Sequence, residues 1–194
     1  MEHLGTIELY TERLTLRRLT INDVNKVFNN WTSDSEVSKF LPWPTHENID
    51  VTKTVLENWI EKYPQKDFYQ WAIIFNEINE PIGTITVVGK NDRTKMVEIG
   101  YCIGKKWWNK GITSEALASV IKFLFENVGV NRIQAFHDSR NVYSGKVMEK
   151  CGMKLEGKLK QSGLNNSGIC DHCLYGIVAE DYFEKKLEKQ KTST

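Results

Sequence analysis

The sequence predicts a single-domain α/β protein of mixed α+β character, built on a mixed, mostly antiparallel sheet with helices on both faces. Three observations carry that prediction. Segments 68–75, 81–88 and 95–103 read as strands joined by short polar turns at 76–80 and 89–93, the pattern of an antiparallel meander. The pattern then switches to helix, strand, helix and strand over 113–159, which implies a parallel crossover. Two amphipathic segments, 20–31 and 48–63, precede the meander and supply further apolar stripes to cover the sheet.

At 194 residues the chain suits one domain with a substantial core. Residues 1–180 are expected to form it, and 181–194 a charged helix and tail. Hydrophobic residues make up 40% and charged residues 26%, an ordinary globular balance. A net charge of +1 provides no general attraction to nucleic acid or anionic lipid, so neither is expected as a partner. No window approaches the roughly 18 apolar residues of a membrane span and no leader pattern opens the chain, so a cytoplasmic protein, monomeric or homodimeric, is expected. Cys102, Cys151, Cys170 and Cys173 are then expected as free thiols. The run Cys170-Asp171-His172-Cys173 offers metal-type ligands. It lacks a second ligand pair and continues into a strand that would point neighbouring ligands to opposite faces, so no metal is expected.

Taken in order, residues 12–19 open as a strand with Leu14 and Leu16 facing inward. Residues 20–31 form a helix capped by Thr20 or Asn22, with Val24, Val27, Phe28 and Trp31 on one face. Pro42 and Pro44 prevent a long regular element over 33–47. Its aromatics either form the lip of a cleft or pin the loop to the core through Trp43. Residues 48–63 form a second helix ended by Pro64. After the meander come a helix (113–127), a strand (132–137), a helix (142–151) capped by Gly152, and a strand (153–159). A loop (161–168) leads to the last strand (170–178).

The chemistry concentrates at two helix starts. Along residues 96–103, Val97, Ile99, Tyr101 and Ile103 share one face, and Glu98, Gly100 and Cys102 the other. Then come Trp107, Trp108, Asn109, Lys110, Gly111, Ile112, Thr113 and Ser114. Gly111 permits close backbone approach, and Thr113 and Ser114 offer capping hydroxyls. Free amides, an aligned dipole and Lys105, Lys106 and Lys110 make this junction an anion site, although Glu115 places an opposing charge in the first turn. Such a terminus contributes at most about 2 kcal/mol, whereas micromolar affinity needs roughly 8 kcal/mol, so the ligand must extend well beyond it. No Gly-x-x-x-x-Gly-Lys-Ser/Thr or Gly-x-Gly-x-x-Gly string occurs. The second start, Asn141-Val142-Tyr143-Ser144-Gly145, follows a strand and should lie near the first. Asn141 serves as cap and outward amide, and Gly145 costs roughly 1 kcal/mol in a helix, so a neighbour there excludes a side chain.

Together these stretches resemble the Gcn5-related N-acetyltransferase (GNAT) family, in its branch of ribosomal-protein N-terminal acetyltransferases. The resemblance rests on Thr11-Glu12-Arg13-Leu14-Thr15-Leu16-Arg17, Pro81-Ile82-Gly83, Glu98-Ile99-Gly100-Tyr101, the turn from Trp108 to Ala116, and Asn141-x-x-Ser144 continuing to Lys150-Cys151-Gly152-Met153. It covers nearly the whole chain. The family's loop pattern, Arg/Gln-x-x-Gly-x-Gly/Ala, is altered here by Trp108 and Thr113. The resemblance implies acetyl-CoA as donor and an amine as acceptor. The donor set it implies is Tyr101, Cys102, Ile103, Trp108, Asn109, Lys110, Gly111, Ile112, Thr113, Ser114, Asn141, Ser144 and Lys146. Acetyl would pass directly to the amine, with Glu98 as base through water. Ser144 would serve the departing thiolate, since Met148 stands where many relatives carry a tyrosine. An α-amine of pKa about 8 costs about 1.4 kcal/mol to deprotonate at pH 7, against about 4.6 for a lysine, which favours a protein or peptide N-terminus. A small-molecule amine such as a polyamine or antibiotic, and a non-catalytic acyl-CoA sensor, remain as alternatives.

Overall fold

The computed structural model describes residues 1–192. Among them, eight strands form one sheet in the order β1-β2-β3-β4-β5-β6-β8-β7. The strands are β1 (Leu9–Tyr10), β2 (Leu14–Arg17), β3 (Gln70–Phe75), β4 (Glu80–Asn91), β5 (Met96–Ile103), β6 (Arg132–Asp138), β7 (Lys154–Asn165) and β8 (Gly168–Val178). The meander β2 to β5 is antiparallel, as its short turns require. The expectation of parallel pairing in the later part is corrected to a single parallel pair, β5 with β6; β8 runs antiparallel between β6 and β7.

Helices cover both faces, and the alternation of β3 shows how. Trp71 and Ile73 join one core with α4 (Ile112–Phe123). Ala72 and Ile74 join a second with α1 (Val24–Val27) and α3 (Ile49–Lys62). The segment read as one helix over 20–31 is a 3₁₀ turn, then α1, then a π turn at Phe28–Thr32. Thr20 begins it, its N–H and hydroxyl both donating to Asp23. The proline-containing segment holds one short turn, α2 (Ser35–Ser38). Trp43 packs against the second core, while Phe40 and Leu41 border a cleft, so the segment is both pinned and cleft-forming.

The expected loop over 161–168 is corrected. β7 and β8 form a long hairpin that turns between Asn165 and Gly168, with register shifts between Leu155 and Gly157 and between Leu159 and Gly163. Few apolar alternations mark this exposed edge strand, so its pairing was hidden in the sequence. α5 (Val142–Lys150) ends at Gly152, whose φ of 87° and 2.9 Å bond to the Glu149 carbonyl make the expected C-cap. α6 (Ala179–Thr192) docks by ring contact of Tyr182 with Phe125 and by Lys186 bonding Glu126. Of the charged helix and tail expected over 181–194, residues 193–194 lie outside the described residues.

Candidate active site

β5 and β6 are hydrogen-bonded only from Met96 to Glu98, opposite Arg132 to Gln134. Past that point β5 stays with β4 as far as Ile103, while β6 follows β8 as far as Asp138. The two outer pairings pull the strands apart. A β-bulge between Val87 and Gly89 adds bend to the β4–β5 side. A cleft of about 550 Å³ opens at the splay.

The first helix start borders this cleft. α4 begins at Gly111, which adopts φ 74°, after Asn109 at φ 60°. Both are left-handed conformations, and a Cβ at Gly111 would be strained whatever the space. No side chain caps α4, which corrects the expectation that Thr113 or Ser114 does so. The first-turn amides of Ile112, Thr113 and Ser114 therefore keep their hydrogen-bonding capacity for a ligand. Trp108 is held by its indole N–H on the Ile103 carbonyl at 2.9 Å, fastening the loop to the end of β5.

Glu115, read from sequence as opposing an anion, is already committed elsewhere. Its carboxylate accepts from the Thr11 hydroxyl at 2.6 Å, the Arg13 main-chain N–H at 2.9 Å and Arg13 Nε at 2.7 Å. Burial works to raise this carboxyl, but the bonds from Thr11 and Arg13 outweigh it and hold it below its ordinary value. Arg13 Nη1 also donates to the Lys110 carbonyl at 3.1 Å, so one guanidinium neutralises the first turn and braces the loop. The sequence signal was present in the Thr11-x-Arg13 motif; its partner lay 102 residues away.

The second helix start meets the first. Tyr101 donates its hydroxyl to the Ser144 carbonyl at 2.8 Å and lies 3.1 Å from Ser144 Oγ. Burial pushes the Tyr101 hydroxyl well above its ordinary pKa, so it remains a proton donor. At the other end of α5, the Cys151 thiol donates to the Ser114 carbonyl at 3.2 Å, and burial pushes that thiol up to about 12. These two contacts lay α5 along the cleft, with Ser144 beside β5 and the Lys150 end beside the first turn of α4. Asn141 occupies the N-cap position, yet its side chain makes no cap bond, correcting the expected capping role and leaving its amide for a ligand. Gly145 is explained: a Cβ there would stand 2.8 Å from His137 Nε2 and 3.1 Å from the Tyr175 hydroxyl.

Of the expected donor residues, Tyr101, Cys102 and Ile103 line the cleft from β5, and Trp108, Asn109, Gly111, Ile112, Thr113 and Ser114 from the loop and α4. Asn141, Ser144 and Lys146 line it from α5. Lys110 and Glu98 are not among the lining residues. The Lys110 carbonyl accepts from Arg13. Glu98 sits at the still-paired end of the splay, accepting from Gln134 Nε2 at 3.3 Å, and Val88 stands over Gly100 between it and Cys102. Sequence reasoning missed Lys39 and Arg140, and weighed Glu36 only as one of three carboxylates that the 33–48 segment could offer a cleft; Glu36, Lys39 and Arg140 all line it, from α2 and from the residue before Asn141. Their proximity arises only when α2 folds against the mouth of the splay. A long ligand with an anionic group at the uncapped helix and a reactive end near Ser144 suits this cleft.

Comparison with known proteins agrees with that shape. Residues 13–154 match the family model described as an acetyltransferase (GNAT) domain. The chain is 30% identical over 170 residues to the uncharacterized N-acetyltransferase YoaA of Bacillus subtilis (strain 168), spanning 88% of this chain and 96% of that one. It is 32% identical over 84 residues to the [ribosomal protein uS5]-alanine N-acetyltransferase of Escherichia coli (strain K12), 43% of each chain. The solved structure of a GNAT-family acetyltransferase from Bacillus anthracis matches with a TM-score of 0.79 at 28% identity, covering 90% of this chain and 99% of that one. The chain therefore belongs to the GNAT acetyltransferase family and is an N-acetyltransferase that takes its acetyl group from acetyl-CoA.

Proposed function

We propose that the acceptor is the N-terminal amine of a protein or peptide and that transfer is direct. The observation that carries the direct route is one continuous open cleft lined by both the uncapped start of α4 and Ser144. The identity to a ribosomal-protein alanine N-acetyltransferase and the lower cost of deprotonating an α-amine support the acceptor. A mass-spectrometric acetylation assay over peptides with free or blocked N-termini tests it. Acetylation confined to lysine side chains or small amines would overturn this choice of acceptor.

Bound acetyl-CoA supplies an activated thioester. The main chain at residues 109–114 holds its diphosphate, Lys146 and Lys150 add positive charge on the α5 side, and Asn141 turns its amide to the pantetheine arm. Ser144 Oγ, held within 3.1 Å of the Tyr101 hydroxyl, gives a proton to the departing sulfur and regains the one that the amine nitrogen loses on acylation. A thiol of pKa about 8.5 gains roughly 2 kcal/mol on protonation at pH 7, so Ser144→Ala is expected to lower kcat about tenfold to thirtyfold without abolishing turnover. Steady-state thiol release checks it, and an unchanged kcat removes Ser144 from the role.

Glu98 is the proposed base, acting through water from the paired end of the splay beside Gln134, outside the cleft lining. Glu98→Gln is then expected to lose the rise in kcat/KM with pH while acetyl-CoA affinity stays constant. An unaltered pH–rate profile would hand the proton to Glu36, the one carboxylate among the described residues that lines the cleft.

A further inference from the structure

We propose that the acceptor end of the cleft is a subsite for a carboxylate carried close to the reacting amine, with Arg140 as its anchor and Lys39 as its second cation, so that acidic N-termini are the preferred acceptors. The inference rests on the acetyltransferase reading above and names the acceptor class of that site.

Arg140 is held rigidly. Asp138, whose side chain is fully buried, accepts from the Arg140 main-chain N–H at 2.8 Å, from Nε at 3.0 Å and from Nη2 at 2.6 Å, and also from Asn165 Nδ2 at 2.8 Å. The bonds from Arg140 keep the Asp138 carboxyl far below its ordinary value despite opposing burial. The Arg140 side chain is 49% exposed and lines the cleft. Among the described residues no group accepts from its Nη1. A fork pinned on one edge by a buried carboxylate and open on the other is preorganised for a second carboxylate.

Lys39 and Arg140 flank the Phe40 ring, Nζ at 5.5 Å and Cζ at 5.9 Å from its centroid. The hairpin tip fixes that segment in place, Asn166 Nδ2 donating to the Ser38 and Trp43 carbonyls at 2.8 Å and Ser167 Oγ to the Lys39 carbonyl at 3.0 Å. These cations are not spent on the donor. Its anion end is set by the Cys151 contact to Ser114, where Lys150 lies, whereas Arg140 precedes Asn141 at the opposite end of α5. Glu36 lines the same cleft, and its carboxylate has no partner among the described residues, so it suits the ammonium of the incoming amine. Two cations beside one free carboxylate match an acceptor bearing an amine and an adjacent acidic group.

The test uses amidated tripeptides sharing an N-terminal alanine and continuing Glu-Glu, Gln-Gln or Lys-Lys, together with 4-aminobutyrate and its amide, in a thiol-release assay on the full chain. The acidic peptide is expected to exceed the neutral one at least about tenfold in kcat/KM, and the basic one to be poorest. Arg140→Gln is expected to collapse the acidic-to-neutral ratio about tenfold at constant acetyl-CoA affinity. Because that change also leaves Asp138 with fewer partners, Lys39→Glu, on an exposed side chain, provides the second variant and is expected to lower the ratio and improve the basic peptide. Equal rates for the three peptides, or variants that slow all of them in step, overturn the subsite. If the peptides fail but 4-aminobutyrate outpaces its amide, the subsite stands and the peptide reading falls. Absence of acetyl-CoA binding by calorimetry would reject the underlying function instead.

Discussion

Arg13→Ala is expected to weaken acetyl-CoA binding about tenfold to thirtyfold while the protein stays folded. Arg13 contributes two bonds through its side chain to Glu115 and one to the Lys110 carbonyl. Thr11 and the main-chain N–H of residue 13 remain after truncation, so Glu115 keeps its place at the start of α4 and keeps its charge. What changes is the field at the helix terminus. An uncompensated carboxylate within one or two helical turns, roughly 5–10 Å, of a bound diphosphate repels it by about 2 kcal/mol at an effective dielectric of about 20. The Arg13 side chain is 40% exposed, so salt trims that figure, and the weakening should itself diminish as ionic strength rises. Calorimetry with acetyl-CoA measures it. The double variant Arg13→Ala, Glu115→Gln separates field from scaffold: affinity returning to within about threefold of the parent is expected. No recovery would assign the loss to the loop's shape and not to charge.

Gly83→Ala is expected to cost about 3 kcal/mol or more of stability, a fall of roughly 6–12 °C in Tm for a chain of this size. A Cβ at Gly83 would lie 2.3 Å from the Cys102 carbonyl oxygen and 2.8 Å from Ile103 Cα. Both are main-chain atoms of the strand that walls the cleft, so β5 must move bodily instead of a side chain rotating aside. Acetyl-CoA affinity should fall with it, because Cys102 and Ile103 form that wall. Gly157→Ala is the matched control. A Cβ there meets nothing within 4 Å, and Tm should stay within about 1 °C of the parent. Thermal melts by circular dichroism decide the matter, and a Gly83→Ala protein as stable as the control would show that β5 is compliant at its open end.

Local rules located most of the elements because their causes are local. The apolar run of β3, the alternation in β5, the apolar stripe of α4 and the Gly152 cap each arise from residues a few positions apart. The same rules found only the first half of β7, and failed on 161–165, where an exposed edge strand leaves no apolar period. They failed also on α4's cap, where Gly111 in a left-handed conformation replaced the hydroxyls expected from Thr113 and Ser114. Among site residues, those carried on the two helix starts were legible from order and spacing. Lys39 and Arg140 were not, since nothing in their own segments marks them as neighbours.

By itself the sequence determined a mixed sheet with helices on both faces, the two helix starts with Gly111, Asn141 and Ser144, and the family to which they belong, since each follows from short-range periodicity and motif order. The tertiary structure alone decided three things: that Glu115 is neutralised by Arg13, that Tyr101 backs Ser144, and that Glu98 lies outside the cleft while Arg140 lies within it. The physical reason is common to all three. A charge or proton donor acts through space over a few ångströms, and residues separated by 43 or 102 positions reach that distance only after the sheet has splayed and the helices have been laid across it.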